Sequence, residues 1–184
     1  MSENPRVSTR RVYTGRVINL DIDTVRFPNG SIGELEMIRH PGASAVVPFV
    51  SDPAGDDPQV LLIRQYRHLQ GEVSWELPGG GAQPGEDPLA AAQRELREEG
   101  GYRAERLEFL TRFYPSNAYL DEVAYCYAAY GLTHDPLPAD DDEFIERRVV
   151  PLEEAIRMAI GGEITESVSK MTLLQYVARP PERS

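Results

Sequence analysis

The stretch WELPGGGAQPGEDPLAAAQRELREEGGY, residues 75–102, determines more of the expected structure than any other part of the chain. Pro78 and the glycines after it fit neither a regular helix nor a regular strand, and glycine lets a backbone approach a ligand closely. Asp87 is a favoured N-cap residue, and Pro88 suits the first position of a helix. The spacing therefore predicts a glycine-rich loop followed by a helix over residues 88–99, which two further glycines end.

The predicted helix has an apolar face and an acidic face. Its core stripe is expected at positions with helical spacing, Leu89, Ala92 and Leu96. Another face gathers three carboxylates, Glu95, Glu98 and Glu99. Their mutual repulsion costs stability, and a hard cation such as Mg2+ or Mn2+ relieves it. Arg94 lies one turn before Glu98 and is expected to pair with it. A solvated acidic face is the alternative for the glutamates alone, but the adjoining glycine loop favours a metal site.

The order of fixed residues in this stretch follows a known pattern. The pattern is a glycine, five residues, Glu, seven residues, Arg-Glu, an apolar residue, any residue, Glu-Glu, any residue and Gly. Its defined positions are filled by Gly80, Glu86, Arg94, Glu95, Leu96, Glu98, Glu99 and Gly101. Tyr102 fills the final apolar position as an aromatic residue. The stretch resembles the signature of the Nudix hydrolase family. The resemblance implies an α/β fold, with an α/β/α sandwich around a mixed sheet, and hydrolysis of pyrophosphate bonds with Mg2+ as cofactor or Mn2+ in its place.

The same resemblance implies roles for individual residues. Metal ions are expected on one backbone carbonyl and three carboxylates, at Gly79, Glu95, Glu98 and Glu99. Glu98 is also expected to act in catalysis. The loop and helix are expected to be supported by Gly80, Glu86, Arg94 and Gly101. Bound metal would neutralise a pyrophosphate, which a chain of formal net charge −11 would otherwise repel.

Beyond the signature, residues 12–176 look like the ADP-ribose pyrophosphatase branch, which also contains other nucleotide-sugar hydrolases. The likeness rests on the strands before the core, on VLLIRQYR followed later by WELPGG, and on YPSNAYLDE. In that branch the N-terminal strands swap across a dimer, which implies a homodimer. Substrate is expected to contact Arg39, Arg67, Ser116 and Glu122. Arginine forks suit phosphate oxygens, although each arginine also fits an ordinary surface position.

The substrate itself stays open at this point. The branch often carries Pro-Gly after the serine, whereas Ser116 is followed by Asn117-Ala118. ADP-ribose, split to AMP and ribose 5-phosphate, is the first hypothesis. GDP-mannose or another nucleotide sugar is the alternative. Two further hypotheses are a hydrolase of nucleoside triphosphates or dinucleoside polyphosphates, and a non-catalytic Nudix domain that only binds a ligand.

Relatives place the general base on the loop before the strand predicted over residues 147–150. Here that loop is the acidic run at residues 140–143. Glu143 is the first choice for the base and Asp141 the second, because a carboxylate that moves onto the site can deprotonate the attacking water. A solvated acidic loop is the alternative interpretation.

The rest of the chain predicts a mixed α/β protein. Apolar runs predict strands over residues 16–23, 23–27, 34–39, 45–50, 60–66, 75–77, 107–113, 122–131 and 147–150, and helices over residues 152–160 and 166–178. The first eight residues are expected to be a loose tail. The expected organisation is an N-terminal, dimer-forming strand region (1–40), a Nudix domain (41–178) and a tail (179–184).

Composition limits the class of protein. With 30 acidic and 19 basic residues, the chain is not expected to bind nucleic acid or anionic membranes. The sequence shows neither a signal peptide nor an apolar run near the ~20 residues of a membrane span. Cys126 is the only cysteine, which excludes an intrachain disulfide and fits a reducing cytoplasm. It is expected in a buried strand.

Overall fold

Three β-sheets and three α-helices make up the part of the chain that a computed structural model describes, residues 5–139 and 144–179. In chain order the strands are β1 (Arg6–Thr14), β2 (Asn19–Arg26), β3 (Ile32–Arg39), β4 (Ala43–Pro48), β5 (Gln59–Arg67), β6 (Glu72–Glu76), β7 (Gly79–Gly81), β8 (Tyr102–Phe113), β9 (Ala124–His134) and β10 (Glu146–Pro151). The helices are α1 (Pro88–Glu95), α2 (Leu152–Gly161) and α3 (Ser167–Val177). A π-helical turn, Leu96–Gly100, continues α1.

The central sheet has the order β7-β4-β9-β8 and is mixed, since β4 pairs with β9 in parallel and the other pairs are antiparallel. The second sheet, β10-β5-β6, is antiparallel. The N-terminal sheet, β1-β2-β3, is antiparallel as well. This arrangement confirms the expected α/β fold with a mixed sheet and an N-terminal antiparallel strand region.

Helices cover both faces of the central sheet. Successive side chains of a strand point to opposite faces, and β4 shows both environments. Val46 packs with Leu96 on the α1 side. Val47 packs with Met158 of α2 and Leu173 of α3 on the other side, where residues of β5 complete the same core. The layers therefore hold β4, and the short β7 paired to it, between α1 and α3.

The N-terminal sheet joins the rest of the chain beside the start of β9. Ile38 of β3 accepts a hydrogen bond from Asp121 N at 3.1 Å and donates one to Tyr119 O at 2.7 Å. His40 N donates to the Asp121 carboxylate at 2.8 Å. This contact brings the end of β3 to the loop that precedes β9.

Several local expectations were wrong. The two strands expected over residues 16–23 and 23–27 are a single strand, β2. The chain is already a strand from Arg6, within the region expected to be a tail. Leu89 is 45% exposed, and the buried stripe of α1 runs instead through Ala91, Ala92 and Leu96. Leu89 lies in the first turn of α1, where it and Ala90 are both exposed, and burial begins only at Ala91.

Two local expectations, the cap of α1 and the buried cysteine, were confirmed. Asp87 caps α1, since its side chain accepts from the backbone N–H groups of Leu89 and Ala90. Cys126 is buried in β9. Within the described residues, no helix has both the length and the apolar character needed to span a membrane.

Candidate active site

The glycines of β7 lie directly against the glutamates at the end of α1. Gly79 N donates to Glu99 Oε2 at 2.6 Å. A Cβ on Gly80 would lie 2.7 Å from Glu95 Oε1, closer than real Cβ contacts allow. A glycine is needed there because the carboxylate occupies the space of a side chain.

Arg94 organises this loop and helix. Its Nη1 donates to Glu95 Oε1 at 2.6 Å and to Glu98 Oε2 at 2.8 Å. Its Nε and Nη2 donate to the two oxygens of Glu86, each at 3.0 Å, and Nη2 also donates to Gly81 O at 2.9 Å. The hydrogen bond from Arg94 lowers the pKa of Glu86 below its ordinary value of 4.5. The predicted pairing of Arg94 with Glu98 is therefore confirmed, and Arg94 also fixes the loop.

The π-helical turn is held from the other side by β10. Arg147 Nε donates to Glu99 O at 2.6 Å, and its Nη2 donates to Glu98 O at 3.2 Å. These carbonyls belong to the last turn of the helix, where carbonyl groups have no hydrogen-bond donor within the helix. Gly101 ends the turn in the left-handed conformation, with φ of +83°. The backbone under Glu98 and Glu99 is thus fixed at both ends.

A cavity of about 300 Å³ opens beside β7. One wall is backbone, from β4 and the three glycines of β7. The lining also includes the charged and polar side chains His40, Arg67, Glu76, Glu122 and Glu166. The glycine strand that faces the glutamates of α1 thus also borders a space large enough for part of a nucleotide sugar.

Arg67 reaches the cavity from β5 and is held by Glu76 of β6. Its Nε donates to Glu76 Oε1 at 2.8 Å, and its Nη2 bonds the other carboxylate oxygen. Glu76 is buried, whereas the side chain of Arg67 remains 40% exposed. The paired guanidinium therefore keeps an accessible surface that faces the cavity.

Glu122 and Glu166 add negative charge to the lining of the cavity. Burial raises the pKa of Glu122 above its ordinary value of 4.5; the neighbouring His40 opposes this shift and Glu166 reinforces it. The two oxygens of Glu166 accept from Val168 N and Ser169 N, each at 2.7 Å, which caps α3. A cavity this acidic favours a cation, or an anion that arrives with cations.

Two of the residues expected to bind substrate, Arg39 and Ser116, do not line this cavity. Arg39 donates to Asp21 at 3.0 Å and to Asp121 at 3.3 Å, and it also pairs with Asp23. Ser116 is half-buried in the turn before β9, where its carbonyl accepts from Leu120 N at 3.1 Å. Glu143 and Asp141 fall outside the described residues.

Comparison with known proteins gives the relationship. The family model described as NUDIX domain matches residues 40–168. The chain belongs to the Nudix family.

Individual Nudix relatives resemble most of the chain. The Methanol dehydrogenase activator of Bacillus methanolicus is 36% identical over 177 residues, which cover 95% of this chain and 92% of that protein. The ADP-ribose pyrophosphatase of Bacillus subtilis (strain 168) is 32% identical over 177 residues, with 95% and 92% covered. A solved structure of an ADP compounds hydrolase has a TM-score of 0.77 at 23% identity, covering 94% of this chain and 91% of that one, and supports the fold. The chain is a Nudix pyrophosphohydrolase of the branch that contains ADP-ribose pyrophosphatases and ADP compounds hydrolases.

The donor set of the Nudix signature suits a hard divalent cation. Glu95 and Glu99 are buried and Glu98 is half-buried, so their oxygens form an acidic patch of the kind that Mg2+ prefers. In this structure Arg94 binds Glu95 and Glu98, while Glu99 faces Gly79. Accordingly, no three His, Cys, Asp or Glu side chains of the described residues converge as ligands of one ion. The residue types fit the metal, and side-chain rotation away from Arg94 is what binding would require.

Four residues of the Nudix site region were not singled out from the sequence, namely His40, Gln65, Glu76 and Glu166. His40 lines the cavity, with its Nδ1 3.9 Å from Glu122 Oε1. Glu76 stands three residues before the glycines, so its position was a usable signal. Gln65 and Glu166 reach the site only through strand pairing and helix packing, which no local pattern reveals.

Proposed function

We propose that this chain hydrolyses the pyrophosphate bond of a nucleoside diphosphate sugar, with ADP-ribose as the first substrate and Mg2+ as the cofactor. The observation that carries the proposal is the cavity that β7 shares with Arg67. Glu99, a glutamate suited to a metal, accepts a hydrogen bond from Gly79 of β7, and the guanidinium of Arg67, which suits phosphate oxygens, lines the cavity that β7 borders. The proposal is that one bound pyrophosphate contacts both the metal and Arg67.

The metal would be held by Glu95, Glu98, Glu99 and the carbonyl of Gly79. When bound, it supplies charge neutralisation of the pyrophosphate and activation of water. Arg94 donates hydrogen bonds to two of these carboxylates, Glu95 and Glu98, and balances part of their charge. Gly80 leaves room for the Glu95 side chain, and Glu86 holds Arg94 in place.

The chain's own residues would bind the substrate and move one proton. Arg67 orients a phosphate, and Glu122 accepts hydrogen bonds from sugar hydroxyls. Water attacks one phosphorus, the bridging P–O bond breaks, and the water's proton passes to a carboxylate. Glu143 is proposed as that base and Asp141 as the second choice. With ADP-ribose the products are AMP and ribose 5-phosphate.

Ser116 and the residues after it remain the proposed source of sugar specificity. The names of the relatives support an ADP-linked substrate. The departure at Asn117-Ala118 keeps GDP-mannose and other nucleotide sugars as the alternative, since this turn comes a few residues before Glu122 in the loop that precedes β9.

The test is phosphate release after coupling to alkaline phosphatase, with ADP-ribose, GDP-mannose, UDP-glucose, ADP-glucose, dinucleoside polyphosphates and nucleoside triphosphates, each with and without Mg2+. We expect ADP-ribose to be preferred and turnover to need Mg2+. Glu99→Gln keeps the shape but removes a ligand charge, and should lower kcat by roughly 100-fold or more. Glu143→Gln should lower kcat with little change in KM. Near wild-type turnover of Glu99→Gln at saturating Mg2+ would refute the metal assignment.

A further inference from the structure

Two buried side chains, Gln65 and Glu76, connect the proposed phosphate-binding arginine to a proposed metal-binding glutamate. Gln65 lies on β5 and Glu76 on the adjacent β6; both are almost fully buried, and Glu76 lines the cavity. Glu76 takes the guanidinium of Arg67 with both of its carboxylate oxygens. Its orientation therefore decides where Arg67 points.

Gln65 bridges the two buried carboxylates. Its Nε2 lies 3.4 Å from Glu76 Oε2 and 3.4 Å from Glu99 Oε1. Ionised carboxylates only accept hydrogen bonds, so the amide nitrogen, with two hydrogens, is the atom that faces them. Each bond is long, but together they hold the amide between both partners. The other oxygen of Glu99 accepts from Gly79 N at 2.6 Å.

We infer that Gln65 and Glu76 are positioning residues that couple phosphate binding at Arg67 to metal binding at Glu99. The inference rests on the proposed function. Residues that orient metal ligands by hydrogen bonds commonly change metal affinity by about 10- to 100-fold when lost. If the relay operates, disturbing Glu76 changes Glu99 as well as Arg67, and it does so through the Gln65 amide. If Gln65 and Glu76 only filled space, substituting them would change neither phosphate binding at Arg67 nor metal binding at Glu99.

The experiment measures Mn2+ affinity by the paramagnetic resonance signal of free Mn2+, which needs no turnover, and KM and kcat for ADP-ribose with Mg2+. Gln65→Met removes the amide but keeps the length, and should weaken Mn2+ binding about tenfold. Glu76→Gln should raise KM, because Arg67 loses its charged partner, and should also weaken Mn2+ binding. Glu72→Gln, an exposed change on the same strand, is the control and should leave every value unchanged.

The double variant decides whether the effects travel through Gln65. We expect Gln65→Met with Glu76→Gln to bind Mn2+ no more weakly than Gln65→Met alone, since the path is already broken. Additive losses would overturn the relay, because Glu76 would then act on the metal without Gln65. Mn2+ affinities and KM values equal to those of Glu72→Gln would overturn it too.

Thermal unfolding checks that each variant folds. If Gln65→Met does not fold, Gln65→Asn replaces it, because it keeps an amide that is too short to reach both carboxylates, and the same loss of Mn2+ affinity is expected. Wild-type turnover without any divalent ion would refute the proposed function. Mg2+-dependent wild-type turnover together with unaltered variants would refute this inference alone.

Discussion

Burial of Glu122 disfavours the ionised form of its carboxyl group. Its side chain is 17% exposed, and burial raises its pKa above 4.5. A carboxyl whose pKa is higher in the folded state contributes stability that is fully present below the unfolded pKa and is lost as pH rises through the folded pKa. Glu122→Gln should therefore raise the unfolding temperature at pH 7, with the gain vanishing at about pH 4.

Thermal unfolding at these two pH values checks the prediction. Glu72→Gln is the matched control, because Glu72 is exposed and should show no gain at either pH. An equal gain at both pH values would contradict the electrostatic cause. A cavity residue kept at a cost in stability fits a role in binding, since function is a common reason for such a cost.

For single residues, the sequence predicted contacts between residues that lie close together along the chain. The pairing of Arg94 with Glu98 and the cap at Asp87 follow from helical spacing, and both are present. Gln65 and Glu166 meet the site only because separate strands and helices pack together. The sequence shows that Arg39 carries a charge, but it does not show which three aspartates bind it.

The three glycines of β7 are equivalent in the sequence but not in their surroundings. A Cβ on Gly79 would lie 2.8 Å from Ala45 Cα, and a Cβ on Gly80 would meet the Glu95 carboxylate. A Cβ on Gly81 would meet nothing nearer than 4.0 Å. A backbone neighbour cannot move away easily, whereas a carboxylate can.

Substituting each glycine by alanine should therefore give three different results. Gly79→Ala should lower the free energy of unfolding by about 1–3 kcal/mol. Gly80→Ala should fold nearly normally but lose about 100-fold in kcat, because Glu95 is displaced. Gly81→Ala should resemble the wild type in both. Urea unfolding and the phosphate-release assay measure the two effects, and equal behaviour of all three variants would contradict this account.

Helices and strands were predictable from the sequence where one of their faces is buried, and they were less predictable elsewhere. The strands β4 and β5 carry apolar runs that the sequence shows directly. By contrast, every residue of β1 is exposed, so no burial pattern distinguishes it from a tail. The helix was predicted to run to residue 99 without interruption, but it changes to a π-helical turn at Leu96. The carbonyl of Glu99 in this turn accepts a hydrogen bond from Arg147 of β10, which lies far along the chain.

Across the whole molecule, Arg39 ties the N-terminal sheet to the loop before β9. Its partners Asp21 and Asp23 belong to β2, and Asp121 belongs to the loop. Hydrogen bonds from Arg11 and then Arg39 lower the pKa of Asp21 below 3.8 despite its burial. Burial alone would raise the pKa of Asp23, but bonds from Arg39 and Thr9 lower it overall.

Arg39→Met should lower the unfolding temperature at pH 7 by several degrees. Carboxyls with a lowered folded pKa contribute stability that is present above the unfolded pKa and lost as pH falls through the folded one. The difference from the wild type should therefore shrink below about pH 3.8. Arg26→Met is the control, because Arg26 lies at an exposed end of β2. A deficit that does not depend on pH would point to lost packing instead.

The N-terminal sheet leaves an edge strand and several apolar side chains in contact with solvent. All of β1 is exposed, and exposed apolar residues of this region include Val7, Val12, Tyr13, Ile32 and Leu35. A long exposed edge strand favours pairing with another chain. We propose that residues 1–40 form the contact between two copies of this chain.

Light scattering of the eluted protein should therefore give a molar mass near twice the monomer's 20.6 kDa. Val12→Asp places a charge in the middle of β1 and should shift the protein towards the monomer, because a charge in a buried apolar contact is costly. Leu69→Asp is the matched control, since Leu69 is 98% exposed and lies outside this sheet. A wild-type monomer at micromolar concentration would refute the dimer. Equal dissociation by both variants would place the contact elsewhere than β1.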